Sequence, residues 1–184
     1  IARLWIYDLP RGSLTPLTSG TSSSQLPAWT PDGKRVVYRG TRLGVRDLFW
    51  RPADAATEEE RLTTEGDNST PGSWSHDGKR LAFTANARDT GADIWMLSLE
   101  NNRKTEVFLD TSAEERGPQF SSDGRWLAYV SNESGRDEIY VRPFQGPRRQ
   151  WPISTGGGSQ PRWSRGGREL FYRSGDKMMA VEIT

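Results

Sequence analysis

The 184-residue sequence predicts an all-β protein: a β-propeller, or a segment of one, with about four four-stranded antiparallel blades. Three observations carry this reading. One hairpin is written four times, as WTPDGKRVVY at 29–38, WSHDGKRLAF at 74–83, FSSDGRWLAY at 120–129 and WSRGGRELFY at 163–172. The turn glycines Gly33, Gly78, Gly124 and Gly167 lie 45, 46 and 43 residues apart, the period of a propeller blade. The chain holds 19 Gly and 8 Trp with little helical periodicity.

Each copy reads in the same order. A proline precedes an aromatic: Pro27 and Trp29, Pro71 and Trp74, Pro118 and Phe120, Pro161 and Trp163. The turn follows. Asp32-Gly33, Asp77-Gly78 and Asp123-Gly124 provide the positive-φ position of a tight hairpin at little steric cost, and Gly166-Gly167 keeps that freedom without the aspartate. A short alternating strand comes next: RVVYR at 35–39, RLAFT at 80–84, WLAYV at 126–130 and ELFYR at 169–173. After a polar loop comes a third strand: DLFWRP at 47–52, DIWMLSL at 93–99, EIYVRPF at 138–144 and KMMAVEI at 177–183. A weaker fourth strand closes three units: RLT at 61–63, EVFL at 106–109 and WPIS at 151–154. Alternation places one side of each strand against a neighbouring blade, so copies must stack to bury both faces. Trp29, Trp74, Phe120 and Trp163 are expected at those blade-to-blade contacts.

The organisation predicted is one domain over 1–184, with a half blade at 1–20 and repeats at about 25–64, 70–110, 116–155 and 159–184. In the half blade, ARLWIYDL at 2–9 matches a third strand and LTPLT at 14–18 a fourth. TSGTSSSQ at 18–25 and GGGS at 156–159 read as inter-blade loops. The opening IARLWIYDL reads as an excised or truncated end. LTPLT has the makings of the fourth strand that the last unit lacks, which would close a four-bladed ring. ARLWIYDL would then be surplus, so the reading favours an open arc that self-associates through its ends.

Composition narrows the function classes. Lys and Arg number 25 against 24 Asp and Glu, a net charge of +1, so nothing pulls the chain toward nucleic acid. There is no cysteine, which removes disulfides, thiol nucleophiles and Cys-ligated zinc. No apolar run approaches the ~20 residues that span a bilayer, so no membrane insertion is expected.

The pattern P-x-W-S-x-D-G-x-x-L/V-x-F/Y, followed about ten residues later by D-I-Y/W, resembles the WD40-like (PD40-type) repeats of TolB-type propellers. The resemblance covers nearly the whole chain. The stretch STGGGSQPRWSRGGRELFYRSGDKMMAVEI also resembles the closing repeats of propellers attached to bacterial receptor-like serine/threonine kinases. The resemblance implies a bacterial propeller, periplasmic or otherwise extracytoplasmic, that binds proteins or peptides. Related propellers cap prolyl-oligopeptidase-type and tricorn-type peptidases. No catalytic residue carries over, because the pattern contains none. The departures are Gly166 in place of Asp, His76 and Arg165 where Pro is usual, and one residue inserted before Trp74.

Candidate chemistry is sparse. His76, the only histidine, fills the turn slot held by Pro31, Ser122 and Arg165 in the sister copies, and there is no G-x-S-x-G. The turn aspartates stand one per blade with no D-x-D-x-D-G loop, so no metal is expected. Asp47, Asp93 and Glu138 start the third strands and are expected to pair with a neighbour or cap a loop, with a cation-binding carboxylate ring as the alternative. Gly156–Gly158 precedes Pro161 and a strand, not the helix that a phosphate cradle needs. Asn68-Ser69-Thr70 and Asn132-Glu133-Ser134 match glycosylation triplets, read here as chance matches. The loops between second and third strands each carry a cation: Arg42, Arg46, Arg88, Arg136 and Lys177. In a propeller these loops share a rim with the blade-to-blade connections, and a repeated Arg suits carboxylate groups of an acidic peptide. The function expected is a non-catalytic binding and assembly module for protein or peptide partners, without cofactor. The alternative is an accessory propeller of a larger peptidase or receptor-like kinase whose catalytic domain lies outside these residues.

Overall fold

The computed structural model describes residues 1–64, 67–87, 91–100 and 103–183. They form strands joined by turns, with no helix. β1 (Trp5–Asp8) and β2 (Ser13–Pro16) make a two-stranded sheet. Blade 1 is β3 (Ser23–Trp29), β4 (Arg35–Arg42), β5 (Val45–Pro52) and β6 (Glu60–Arg61). Blade 2 is β7 (Asp67–Trp74), β8 (Arg80–Ala87), β9 (Gly91–Ser98) and β10 (Thr105–Leu109). Blade 3 is β11 (Glu115–Phe120), β12 (Trp126–Ser131), β13 (Glu138–Pro143) and β14 (Trp151–Pro152). Blade 4 has three strands, β15 (Ser159–Trp163), β16 (Glu169–Ser174) and β17 (Lys177–Glu182). Every pairing is an antiparallel meander in chain order. β2 pairs with β1 and does not join the last sheet, so strand pairing leaves the ring open.

The hairpins work as their residues dictate. In blade 1 the Thr30 hydroxyl donates to Asp32 Oδ1 (2.6 Å), the Lys34 N–H donates to the same oxygen (3.0 Å), and the Arg35 N–H donates to the Thr30 hydroxyl (3.0 Å). Ser75 with Asp77 and Ser121 with Asp123 repeat the arrangement. All four turn glycines sit between φ +68° and +71°. Desolvation opposes ionisation of Asp123, but hydrogen bonds from Ser121 and Arg125 outweigh it and hold the carboxyl at about 2. Ser164 in the last hairpin still receives the Glu169 N–H (3.2 Å), now without an acid. The turns also pack against one another. A Cβ on Gly78, Gly124 or Gly167 would lie 3.7, 3.4 and 3.7 Å from Pro31, His76 and Ser122, each the slot residue of the preceding turn.

Three apolar layers lie between blades. Trp74 packs with Val37, Leu48 and Trp50 of blade 1, its ring stacked 6.4 Å from Trp50. Phe120 packs against Ala82, Ile94 and Met96 of blade 2. Trp163 packs against Val130, Ile139 and Val141 of blade 3 and donates its indole N–H to the Gln119 carbonyl (3.0 Å). The fourth aromatic departs from expectation: Trp29 is 50% exposed. Each of the others rests on the preceding blade, and the sheet preceding Trp29 has only β1 and β2, equivalent to third and fourth strands.

Candidate functional site

The first strands of the four blades line one open cavity of about 520 Å³ on the propeller axis. They face it with an edge that has no further strand beside it. Such an edge carries unpaired N–H and C=O groups and invites pairing, and a proline or a bulge blunts it. Both devices are present. Pro27, Pro71 and Pro161 line the cavity, Pro118 stands between its lining residues Gly117 and Gln119, and every first strand has a register shift there: between Gln25 and Ala28, Pro71 and Ser73, Arg116 and Gln119, and Ser159 and Arg162. The repeated proline is thereby explained, since it removes a donor that the open edge would leave unbonded.

The bulges bend the backbone into the left-handed region. Leu26, Gly117 and Gln160, each just before its proline, have φ of +53°, +62° and +55°, and Asn68 in the irregular first strand of blade 2 has +60°. All four line the cavity. Two of them are the non-glycine, non-Asn residues Leu26 and Gln160, whose side chains make this conformation costly, and bulges of this kind re-aim side chains beside sites. Blade 2 reaches the geometry differently, through the inserted residue. Gly72 sits where a Cβ would lie 2.5 Å from the Pro118 carbonyl oxygen and 2.8 Å from that of Ala82.

The wall is polar and of mixed charge. Arg116 pairs with Glu114 (2.8 Å) and with Asp137. Arg162 donates to the Pro161 carbonyl (2.8 Å) and has no carboxylate partner among the described residues. Gln119, Gln160 and Asn86 add amide groups. Among the described residues no three His, Asp or Glu are grouped to hold a metal. His76 lies in a turn of the opposite rim and makes no hydrogen bond to a serine among the described residues.

The rim cations do not gather into one patch. Arg42 is bidentate to Glu59 (2.7 and 2.5 Å), which also accepts from the Tyr38 hydroxyl (2.6 Å). Arg136 donates to Glu138 (2.7 Å) and to the Thr155 carbonyl. Arg136 therefore ties its turn to the connection entering the next blade, whereas Arg42 ties its turn to the residue that precedes β6 of its own blade. Arg46 is exposed and donates to Asn68 Oδ1 (3.2 Å), Lys177 is exposed, and Arg88 lies outside the described residues. The residues that line the channel were not apparent in the repeat motif. Their available signal was the position before each repeated proline.

The acids that start third strands cap their own blades. Asp47 accepts from the Thr63 hydroxyl (3.5 Å) and pairs with Arg61 (2.5 Å). Glu138 is buried, which works against its charge, but Ser154, the Gly157 N–H and Arg136 bond it and keep its carboxyl below the usual range. Between blades 2 and 3 the pattern differs. Glu115 is 1% exposed, with Oε1 bonded by Thr111 and Ser131 and Oε2 unbonded. Burial pushes its carboxyl up, and the nearby Asp93 charge adds to the effect.

Comparison with known proteins agrees with this architecture. No family model matches the chain. It is 24% identical over 177 residues to the uncharacterized peptidase YuxL of Bacillus subtilis, covering 74% of this chain and 26% of that one. It is 29% identical over 108 residues to the Tol-Pal system protein TolB of Anaeromyxobacter dehalogenans, covering 58% of this chain and 24% of the relative. The crystal structure of TolB from Acinetobacter baumannii superposes with a TM-score of 0.81 at 20% identity, over 97% of this chain and 45% of that one. The chain spans between 24% and 60% of the length of the curated relatives it matches. In fold it is a TolB-like β-propeller arc, similar to TolB proteins in sequence as well as in structure.

Proposed function

We propose that this chain is a non-catalytic binding module that takes a protein or peptide segment into the axial channel. The observation that carries the reading is the cavity itself, walled by four blunted strand edges and by amide and guanidinium groups. Such walls match peptide carbonyls and carboxylates, with Arg162 and Gln160 as inner contacts and Arg46 and Lys177 as outer rim contacts. The match to TolB, named for a Tol-Pal system, supports a protein partner. Selection of a random 12-residue peptide library on the immobilised protein tests this. Recovered peptides should share a binding site, and Arg162→Glu should weaken them by about tenfold. Binders indifferent to Arg162→Glu and Gln160→Ala would contradict it.

The match to a quarter of a peptidase favours a second reading, an accessory propeller of a larger enzyme. Sequence in frame with this chain decides it. A hydrolase or kinase domain there supports the second reading, and a chain of propeller blades alone supports the first.

A further inference from the structure

One position in each third strand faces the preceding sheet. Strand pairing sets Arg51, Leu97, Arg142 and Val181 opposite Val36, Leu81, Leu127 and Leu170. Leu97 and Val181 pack into the apolar layers there, so the fold asks for no charge at this position. Blades 1 and 3 place a guanidinium there instead. In blade 1 it is fully engaged. Arg51 donates from Nε to the Thr57 carbonyl (2.8 Å), from Nη1 to the Leu17 carbonyl of the half blade (2.9 Å) and from Nη2 to the Ala55 carbonyl (3.2 Å). The connection that supplies Ala55 and Thr57, residues 53–59, also carries Glu58 and Glu59.

Arg142 has the same place in blade 3 and none of these partners. It is 7% exposed, its Nε is buried and unbonded, and no nitrogen of its guanidinium donates a hydrogen bond among the described residues. It lies over the Phe108 ring of blade 2 (4.8 Å), and that ring stacks on Phe144 (5.8 Å). A phenyl face attracts the cation but offers no acceptor to the N–H groups in the guanidinium plane. A buried charge in that condition is costly unless something pairs with it. The connection beside it, residues 144–150, matches that of blade 1 in length and reverses its charge, with Arg148 and Arg149 at the places of Thr57 and Glu58. Burial lowers the Arg142 pKa, and the neighbouring Arg148 charge lowers it further. Glu133, the acid next to this connection, is held through both oxygens by Gln150 (2.8 Å each).

We propose that Arg142 and Arg148 bind a phosphoryl group at the fourth-strand side of the seam between blades 2 and 3. Two neighbouring cations with no carboxylate partner among the described residues call for a ligand with two negative charges. The planar fork of Arg142, its face fixed on Phe108, matches two oxygens of a phosphate. Arg51 cannot serve in the same way, because three carbonyls already take its donors. The site is separate from the axial channel, so each stands or falls alone.

Isothermal titration of the 184-residue protein with inorganic phosphate, and with acetate at matched ionic strength, tests this. Phosphate should bind saturably and about tenfold tighter than acetate. Arg142→Met keeps an apolar stem over Phe108 and should abolish phosphate binding. It should not lower thermal stability in phosphate-free buffer, since Leu97 and Val181 hold the same position in their blades. Arg148→Ala, on the exposed connection, should weaken binding about fivefold, and Arg51→Met should leave it unchanged. Glycerol 2-phosphate binding as tightly as phosphate would assign the site to a phosphorylated molecule, and binding of phosphate alone would assign it to the free ion; both results support the proposal. It is overturned by the lack of saturable phosphate binding, by binding that survives Arg142→Met, by indifference to Arg148→Ala, or by equal affinity for acetate.

Discussion

Trp29 and Trp74 hold the same place in two copies of one motif, yet one is 50% exposed and the other 8%. Their turns match, and each pairs with the residue three past its turn glycine, Val36 and Leu81. What differs is the sheet beside them. Trp74 packs into the layer formed with a four-stranded blade, whereas the sheet that precedes Trp29 has two strands among the described residues and the apolar layer it forms with blade 1 does not include Trp29. The repeat thus specifies each hairpin locally, whereas burial is a nearest-neighbour quantity that a copy receives from the blade before it. The same holds at the other end, where β17 repeats the sequence role of β13 without its cover.

Substitutions at three kinds of position sharpen the comparison. The largest effect is expected at the aromatics themselves. Trp74→Ala should cost about 3–5 kcal/mol, as for a large buried side chain, and Trp29→Ala under about 1 kcal/mol. Denaturant unfolding of both variants checks this, and similar losses would mean that the terminal sheet covers Trp29 as fully as a blade does. Next are the glycines. Gly72→Ala places a methyl group against two backbone carbonyl oxygens and should cost about 1–3 kcal/mol, while Gly156→Ala, in open space, should be near neutral.

The smallest effect is at Glu115. Burial lifts its folded carboxyl above the 4.5 of an ordinary glutamate, so the folded state holds the proton more tightly than the unfolded chain. Its contribution is therefore most favourable at low pH and is lost as pH rises from about 4.5 through the folded value. Glu115→Gln removes the buried charge. It should raise stability by about 1 kcal/mol at pH 7 and flatten the pH dependence over that window. Chemical denaturation at several pH values measures both. A loss of stability at pH 7 would show that Glu115 is ionised and paired there.

Much of the fold was legible because hairpin chemistry is local. An Asp-Gly turn behind Thr30, Ser75 or Ser121 needs only its own neighbours to close, and the period followed from the glycines. The strand order of each blade followed too. The burial of Trp29 was not legible, because it depends on strands outside its own copy. The rim arginines were misleading for a related reason. Arg42 and Arg136 look free in a loop, but Glu59 and the Thr155 carbonyl, distant in sequence, meet them once the blade closes. The channel wall was hidden because its residues vary from blade to blade. What repeats there is a backbone event, the bulge before each proline, and Leu26, Gly117 and Gln160 share a conformation without sharing a side chain.

Amide hydrogen exchange on the intact chain tests the central claim most directly. Tyr140 and Met179 occupy equivalent third-strand positions, each paired with the tyrosine of its second strand. If protection comes from the neighbouring blade and from a paired fourth strand such as β14, the Tyr140 amide should exchange only through near-global opening. The Met179 amide should then exchange at least about a hundredfold faster. Equal protection at the two amides would show that the last sheet is held as firmly as an interior one, and would contradict the account.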